Sequence, residues 1–257
     1  MNASEPRTAV VTGASSGIGA AVAVAFGALG WRVALGARRD DRLAAVARQV
    51  EEAGGKALPF RCDASSADEL HAFVDAAESQ LGAVEVAVAN AALAMPALLH
   101  EATVEDLERE LLTNLLHPLL LARRVLPAMR VRGSGDLVFV SSESAVRARP
   151  FQVAYTATKR GVEGAAEALR MELEGTGIRT TVVRPGATLT EFGSSWSPDL
   201  VRRVLVAWKR FGVQRHLSLL APERVARAVV HAVTSPPGTE VPLIELQPEG
   251  PKEMRIP

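Results

Sequence analysis

Short apolar runs alternate along this chain with longer stretches of helical periodicity, and that alternation leaves few folds open. The first run reads Thr8, Ala9, Val10, Val11, Thr12; others span Arg32–Ala37, Lys56–Cys62, Val84–Asn90, Asp136–Ser141, Ile178–Arg184 and Val241–Leu246. Helices are predicted between them: from about Gly17 to Leu29, over Asp40–Ala53, from Ser66 or Ala67 to Leu81, and over Val104–Arg130, Val153–Glu174 and Pro222–Thr234. Strands that alternate with helices build parallel βαβ units. Runs such as Val84–Val88 are apolar at successive positions, which is expected when helices cover both faces of the sheet. The expected fold class is therefore α/β: three layers, doubly wound, with a seven-stranded parallel sheet.

No repeat, low-complexity tract or linker interrupts the 257 residues, so residues 1–257 read as one domain. One long irregular region runs from Ala187 to about Ala221, and a loop of that size in a compact α/β domain is commonly a lid or binding loop. The Val104–Arg130 helix is expected to bend or end near Pro118 or Pro127. Its many leucines, Leu111, Leu112, Leu115 and Leu116 among them, make more than one apolar stripe, so it should be covered on two sides.

Composition narrows the function. Lys+Arg and Asp+Glu both number 29, which excludes a strongly basic nucleic-acid footprint overall. Cys62 is the only cysteine, so an intrachain disulfide or a Cys-rich metal site is impossible, and a reducing cytoplasmic setting is expected. Thr8 to Trp31 carries no charge, yet its glycines, serines and flanks fit neither a membrane span nor a signal peptide. The five histidines form no His-x-x-x-His pair, and no metal site is expected.

The sharpest local signal is Thr12-Gly13-Ala14-Ser15-Ser16-Gly17-Ile18-Gly19, between the first strand and the first helix. Gly13 permits a tight turn, Gly17 lets backbone approach a pyrophosphate, and Gly19 allows close helix–strand packing. The helix N-terminus offers free N–H groups and a positive dipole end to phosphates. At the end of the second strand, where NAD-binding chains place an acid, this chain has Arg38-Arg39. Two guanidiniums suit a 2′-phosphate, so NADP(H) is expected over NAD(H); the competing reading is two solvated surface arginines.

The only tyrosine, Tyr155, is followed one helical turn later by Lys159, and lysine occupies only four positions in the chain. Residues i and i+4 share a helix face. A nearby ammonium favours the phenolate and is expected to lower the tyrosine pKa. Ser142 lies thirteen residues upstream of Tyr155 at the end of the fifth strand, where ligands sit in open α/β sheets.

On these residues the chain resembles a short-chain dehydrogenase/reductase of the single-domain branch, with its Rossmann fold. The matching features are the Thr12–Gly19 turn, Asp63, Asn90-Ala91, Asn114, Ser142, Tyr155-x-x-x-Lys159 and Pro185-Gly186-x-x-x-Thr190. The resemblance implies hydride transfer between nicotinamide C4 and a carbonyl or secondary alcohol carbon, and the NADP(H) expectation favours ketone or aldehyde reduction as the direction. It implies that Tyr155 is the general acid, that Ser142 polarises the carbonyl oxygen, and that Lys159 holds the nicotinamide ribose. Asn114 would position a water linking Lys159 to solvent. The cofactor would meet Gly13, Ser15, Ser16, Gly17, Ile18 and Gly19, Arg38 and Arg39. It would also meet Asp63 at the adenine, Asn90 and Lys159 at the ribose, Tyr155, and Pro185, Gly186, Thr188 and Thr190 beside the carboxamide. The partners expected are a small carbonyl or alcohol substrate and a second copy of the chain. Homodimers or homotetramers would form through the 104–130 and 153–174 helices, and neither nucleic acid nor a membrane span is expected. Two other classes remain: a dinucleotide-binding regulator without turnover, and an epimerase or dehydratase on the same scaffold.

Three departures from the family pattern stand out. Ala92 occupies a position where glycine is usual, Thr158 stands where serine is common, and Glu143 follows Ser142. Glu143 reads as a solvated loop residue. Phe192, Trp196, Trp208 and Phe211 have two readings, as the wall of a substrate pocket or as packing for the 187–221 region. His216 and the basic residues of 200–213 read as surface groups, the latter on a solvated helix face.

Overall fold

The computed structural model describes residues 6–213 and 216–250. Seven strands form one sheet: β1 (Thr8–Thr12), β2 (Arg32–Ala37), β3 (Lys56–Arg61), β4 (Val86–Ala89), β5 (Gly135–Val140), β6 (Ile178–Pro185) and β7 (Leu243–Leu246). Their order is β3-β2-β1-β4-β5-β6-β7, all parallel. The winding reverses between β1 and β4, and that reversal opens a crevice at the carboxyl ends of the strands. Alternate residues of β1 face opposite layers: Ala9 and Val11 join one buried cluster, Val10 the other. Both faces are dry, which explains why the strands read as continuous apolar runs.

The first layer packs α1 (Gly17–Gly27), α2 (Asp40–Glu52) and α8 (Pro222–Val233) on the sheet; the second packs α3 (Ala67–Leu81), α5 (His117–Arg132) and α6 (Val153–Glu172). Local chemistry sets the ends. Ser66 Oγ accepts from Glu69 N–H at the start of α3, and Gly133 closes α5 in the left-handed region, φ 72°. At the foot of the sheet, buried Asp136 pairs with Arg7 and Arg179 and ties β1, β5 and β6 together.

One expectation is met in part and one is corrected. The long helix is interrupted directly before Pro118, but it does not end there, and Pro127 is carried inside α5. It runs as α4 (Val104–Leu111), widens into a π turn over Leu112–Leu116, and continues as α5. The region 187–221 is not wholly irregular: α7 (Pro198–Arg210) lies within it, capped by Ser197 Oγ accepting from Leu200 N–H. Val204 and Trp208 of α7 bury against Phe151, and a bridge between Thr188 and Leu220 draws the ends of the region together. Among the described residues no helix is long and apolar enough to cross a membrane; the uncharged Thr8–Trp31 stretch is β1, the glycine turn and α1.

Candidate active site

A cleft of about 550 Å³ opens at the carboxyl ends of the strands across the β1/β4 reversal. Of the catalytic and cofactor-binding residues expected from sequence, all but Gly19 and Asn114 line it. Gly19 lies just behind: a Cβ there would stand 2.4 Å from Gly13 O, so the turn folds back on itself. Gly13 has φ +65°, and a Cβ on it would stand 2.8 Å from Ala91 Cα. Asn90 Nδ2 pins this turn by donating to Thr12 O at 2.9 Å and Gly13 O at 3.3 Å. Ser16 caps α1 without giving its side chain to the helix, so the first N–H groups of α1 keep no side-chain acceptor from that position.

Arg38 and Arg39 diverge. Arg38 lies 3.9 Å from Asp63, whose Oδ1 also accepts from Ser65 N–H at 2.9 Å. Arg39 turns to the glycine turn, donating to Ser15 Oγ at 3.0 Å and Ser16 Oγ at 2.9 Å. Its other amino group meets the Glu191 carboxylate at 2.7 Å, and Arg42 grips the second oxygen of that carboxylate. These bonds from Arg39 and Arg42 hold the Glu191 carboxyl down at about 2. Arg42 and Glu191 escaped the sequence reading because one lies a helical turn past Arg38-Arg39 and the other more than 140 residues away.

Tyr155 and Lys159 both point from α6 into the cleft, 7% and 3% exposed. Ser142 stands close enough to Tyr155 to favour its phenolate, and its Oγ accepts from Ser144 N–H at 3.2 Å. Lys159 Nζ donates to Val140 O at 2.8 Å and lies 5.7 Å from the centre of the tyrosine ring. The expected direction of the tyrosine pKa is corrected. Burial pushes Tyr155 up to about 12, although Ser142 and the Arg149 charge pull the other way. Burial likewise pushes Lys159 down to about 8, against the pull of Glu163. Desolvation wins because the ammonium is aimed at a carbonyl of β5 rather than at the phenol oxygen.

Asn114 sits in the π turn, fully buried, with both ends of its amide on one residue: Nδ2 donates to Leu93 O at 2.8 Å and Oδ1 accepts from Leu93 N–H at 2.9 Å. Its side chain is spent on tying α4–α5 to the segment after β4, and makes no hydrogen bond to Lys159. Beside it, Glu110 accepts from Met95 N–H, and burial raises its carboxyl to about 7.

The reading of Glu143 as solvated is overturned. Glu143 is buried and paired with Arg149, with side-chain exposures of 10% and 9%. Neither spacing nor periodicity marks that pair in the sequence. The aromatics divide: Phe192, Trp196 and Trp208 line the cleft, whereas Phe211 is off it and 64% exposed. The Phe192 ring lies 5.4 Å from that of Tyr155. Cys62 and Ala92 stand in the wall as small groups, and His216 does not. Among the described residues no three His, Cys, Asp or Glu side chains gather to hold a metal.

Residues 7–200 match the family model for short chain dehydrogenases. The chain is 34% identical to a glycine betaine reductase of Emericella nidulans over 94% of its own length, but spans only 19% of that protein. It is 31% identical to the dehydrogenase/reductase SDR family member 11 of Bos taurus, covering 94% of this chain and 96% of the relative. An alcohol dehydrogenase of Thermococcus sibiricus, solved with 5-hydroxy-NADP, superposes with a TM-score of 0.82 at 28% identity, covering 98% of this chain and all of the other. The chain belongs to the short-chain dehydrogenase family, a class of oxidoreductases built on this fold.

Proposed function

We propose that this protein is an NADP(H)-dependent oxidoreductase that reduces a ketone or aldehyde. The observation that carries the reading is one wall of the cleft: a buried phenol beside a serine hydroxyl, with a buried ammonium one helical turn away. When bound, the nicotinamide supplies a hydride from C4. Tyr155 gives its phenolic proton to the carbonyl oxygen, and the Ser142 hydroxyl hydrogen-bonds that oxygen as negative charge develops. A phenol raised to about 12 keeps its proton at neutral pH, which suits an acid and favours the reductive direction.

The cleft fits the dinucleotide. A Cβ at Gly13 or Gly17 would collide with Ala91 or Thr190, so the turn is a backbone-lined cradle at the N-terminus of α1. Gly13, Ser15, Ser16, Gly17 and Ile18 would hold the pyrophosphate, Asp63 the adenine, Asn90 and Lys159 the ribose. Pro185, Gly186, Thr188 and Thr190 would hold the carboxamide end. NADP is favoured because Arg39, braced by donating to Ser15 and Ser16, and Arg42 already gather an anion, the Glu191 carboxylate, where a 2′-phosphate would compete for it. Residues 187–221, which carry Glu191 and Phe192, act as the lid over this site. Asn114 acts through the π turn that it anchors. The working protein is a cytoplasmic homo-oligomer.

Tyr155→Phe tests the chemistry: loss of NADPH oxidation with retained NADPH fluorescence change on binding is expected, and full turnover refutes the assigned acid. For the cofactor, calorimetry should show Arg39→Ala weakening 2′,5′-ADP far more than 5′-ADP. Equal losses for both ligands defeat the 2′-phosphate assignment.

A further inference from the structure

The segment between β5 and α6 is built to hold one arginine. Phe151 is the only described non-glycine residue with positive φ, +69°, a conformation a bulky side chain rarely adopts. That backbone lets the Phe151 ring bury with Val204 and Trp208, while Phe151 O accepts from Ala97 N–H at 3.0 Å. Two residues earlier, Arg149 is delivered into the cleft wall beside Tyr155 and Ser142. Its guanidinium lies over the Trp208 ring at 4.5 Å, and Trp208 is anchored by Nε1 donating to Pro150 O at 3.0 Å. One amino group of Arg149 goes to Glu143. Nη1 meets no acceptor among the described residues and is the donor left for a ligand, whereas Nε is sealed from water and ligand alike.

An arginine nine-tenths buried with unused donors is costly unless something occupies them. Gln152, 4% exposed, places a neutral amide in the same wall. Glu143 already balances the arginine charge. A carboxylate arriving there would leave the desolvated cluster with net negative charge, whereas a neutral oxygen satisfies donors at no charge cost. Phe192 and Trp208 present flat apolar faces to the carbon skeleton. We propose that Arg149, with Gln152, determines specificity by binding a neutral oxygen, a hydroxyl or a second carbonyl, on a substrate whose reacting carbonyl sits at Tyr155. The substrate class is thus hydroxylated ketones or aldehydes, and this rests on the reductase reading above.

The test compares hydroxyacetone, its methyl isostere butan-2-one, and the carboxylate analogue pyruvate, by NADPH oxidation. The wild-type protein should prefer hydroxyacetone over butan-2-one by at least about 30-fold in kcat/KM, with pyruvate poorest. Arg149→Met combined with Glu143→Gln removes both charges together and keeps an unbranched stem on Trp208. In that variant the preference should fall to within about threefold. Arg149→Lys, which keeps the cation and a donor, should retain part of the preference and decides the matter if the double variant no longer binds NADPH. A wild-type ratio near one, or a ratio unchanged by these substitutions, overturns the proposal. If wild-type protein binds NADPH yet oxidises it with none of the three compounds, the reductase reading itself falls, and this inference with it.

Discussion

At the level of single residues, burial rather than partner charge sets the chemistry. Lys159 titrates near 8 because it is desolvated, so its ammonium is lost as pH rises through that value. Reductive kcat should therefore fall on the alkaline side of about 8, and a profile flat across that point contradicts an essential ammonium. Glu110 gives a stability prediction of the same origin, burial, but opposite direction. Its folded value, about 7, lies above the ordinary 4.5, so the folded state binds the extra proton. The associated stability is complete below 4.5 and is lost as pH rises through about 7. The shift corresponds to about 3 kcal/mol. Glu110→Gln keeps the acceptor for Met95 N–H, and urea melts of this variant should lack most of that pH slope; an unchanged slope places the titration elsewhere. Tyr155 and Lys159 were legible in sequence because i, i+4 spacing on a helix is a local rule. Glu143 with Arg149, and Arg39 with Glu191, were not, because loop geometry and a segment far along the chain create those pairs.

At the level of elements, the π turn over Leu112–Leu116 is what brings Asn114 to Leu93. Such single-turn widenings gather at functional sites in helices. Asn114→Ala would orphan both the N–H and the carbonyl of Leu93 behind the cleft. A loss of about 2–4 kcal/mol in denaturant unfolding is expected, together with weaker NADPH binding, since the post-β4 segment lines the cleft. A variant as stable as wild type shows that Leu93 finds other partners. Pro118 marked the place of the interruption but not its form, because nothing local in Leu-Thr-Asn-Leu-Leu announces a π turn, and Pro127 is accommodated inside α5. Glu191 offers a second test at this scale. Glu191→Gln removes the carboxylate from Arg39 and Arg42, so 2′,5′-ADP should bind about tenfold more tightly by calorimetry. Unchanged affinity means that Glu191 does not compete for that place.

At the scale of the whole molecule, the expected two-sided cover of the leucine-rich helix is half met within the chain. Leu121 is fully buried, and Gly161 of α6 meets Leu115 closely enough that a Cβ would stand 2.9 Å from it. Leu111, Leu112 and Leu116 stay 45%, 39% and 41% exposed, and Met171 on α6 is 68% exposed. These residues form the face proposed for self-association. Leu112→Arg should shift the light-scattering mass toward that of one chain; a wild-type mass already equal to one chain removes the proposal.

The order of strands and helices, the glycine turn and the spacing of Ser142, Tyr155 and Lys159 were set down in the linear sequence, because hydrophobic period, φ > 0 turns and helical repeat are short-range properties. Tertiary packing alone decided that Tyr155 holds its proton more tightly, that Asn114 is spent on Leu93, and that Glu143 and Arg149 are buried. Desolvation depends on everything that surrounds a group, and most of those neighbours lie far away along the chain.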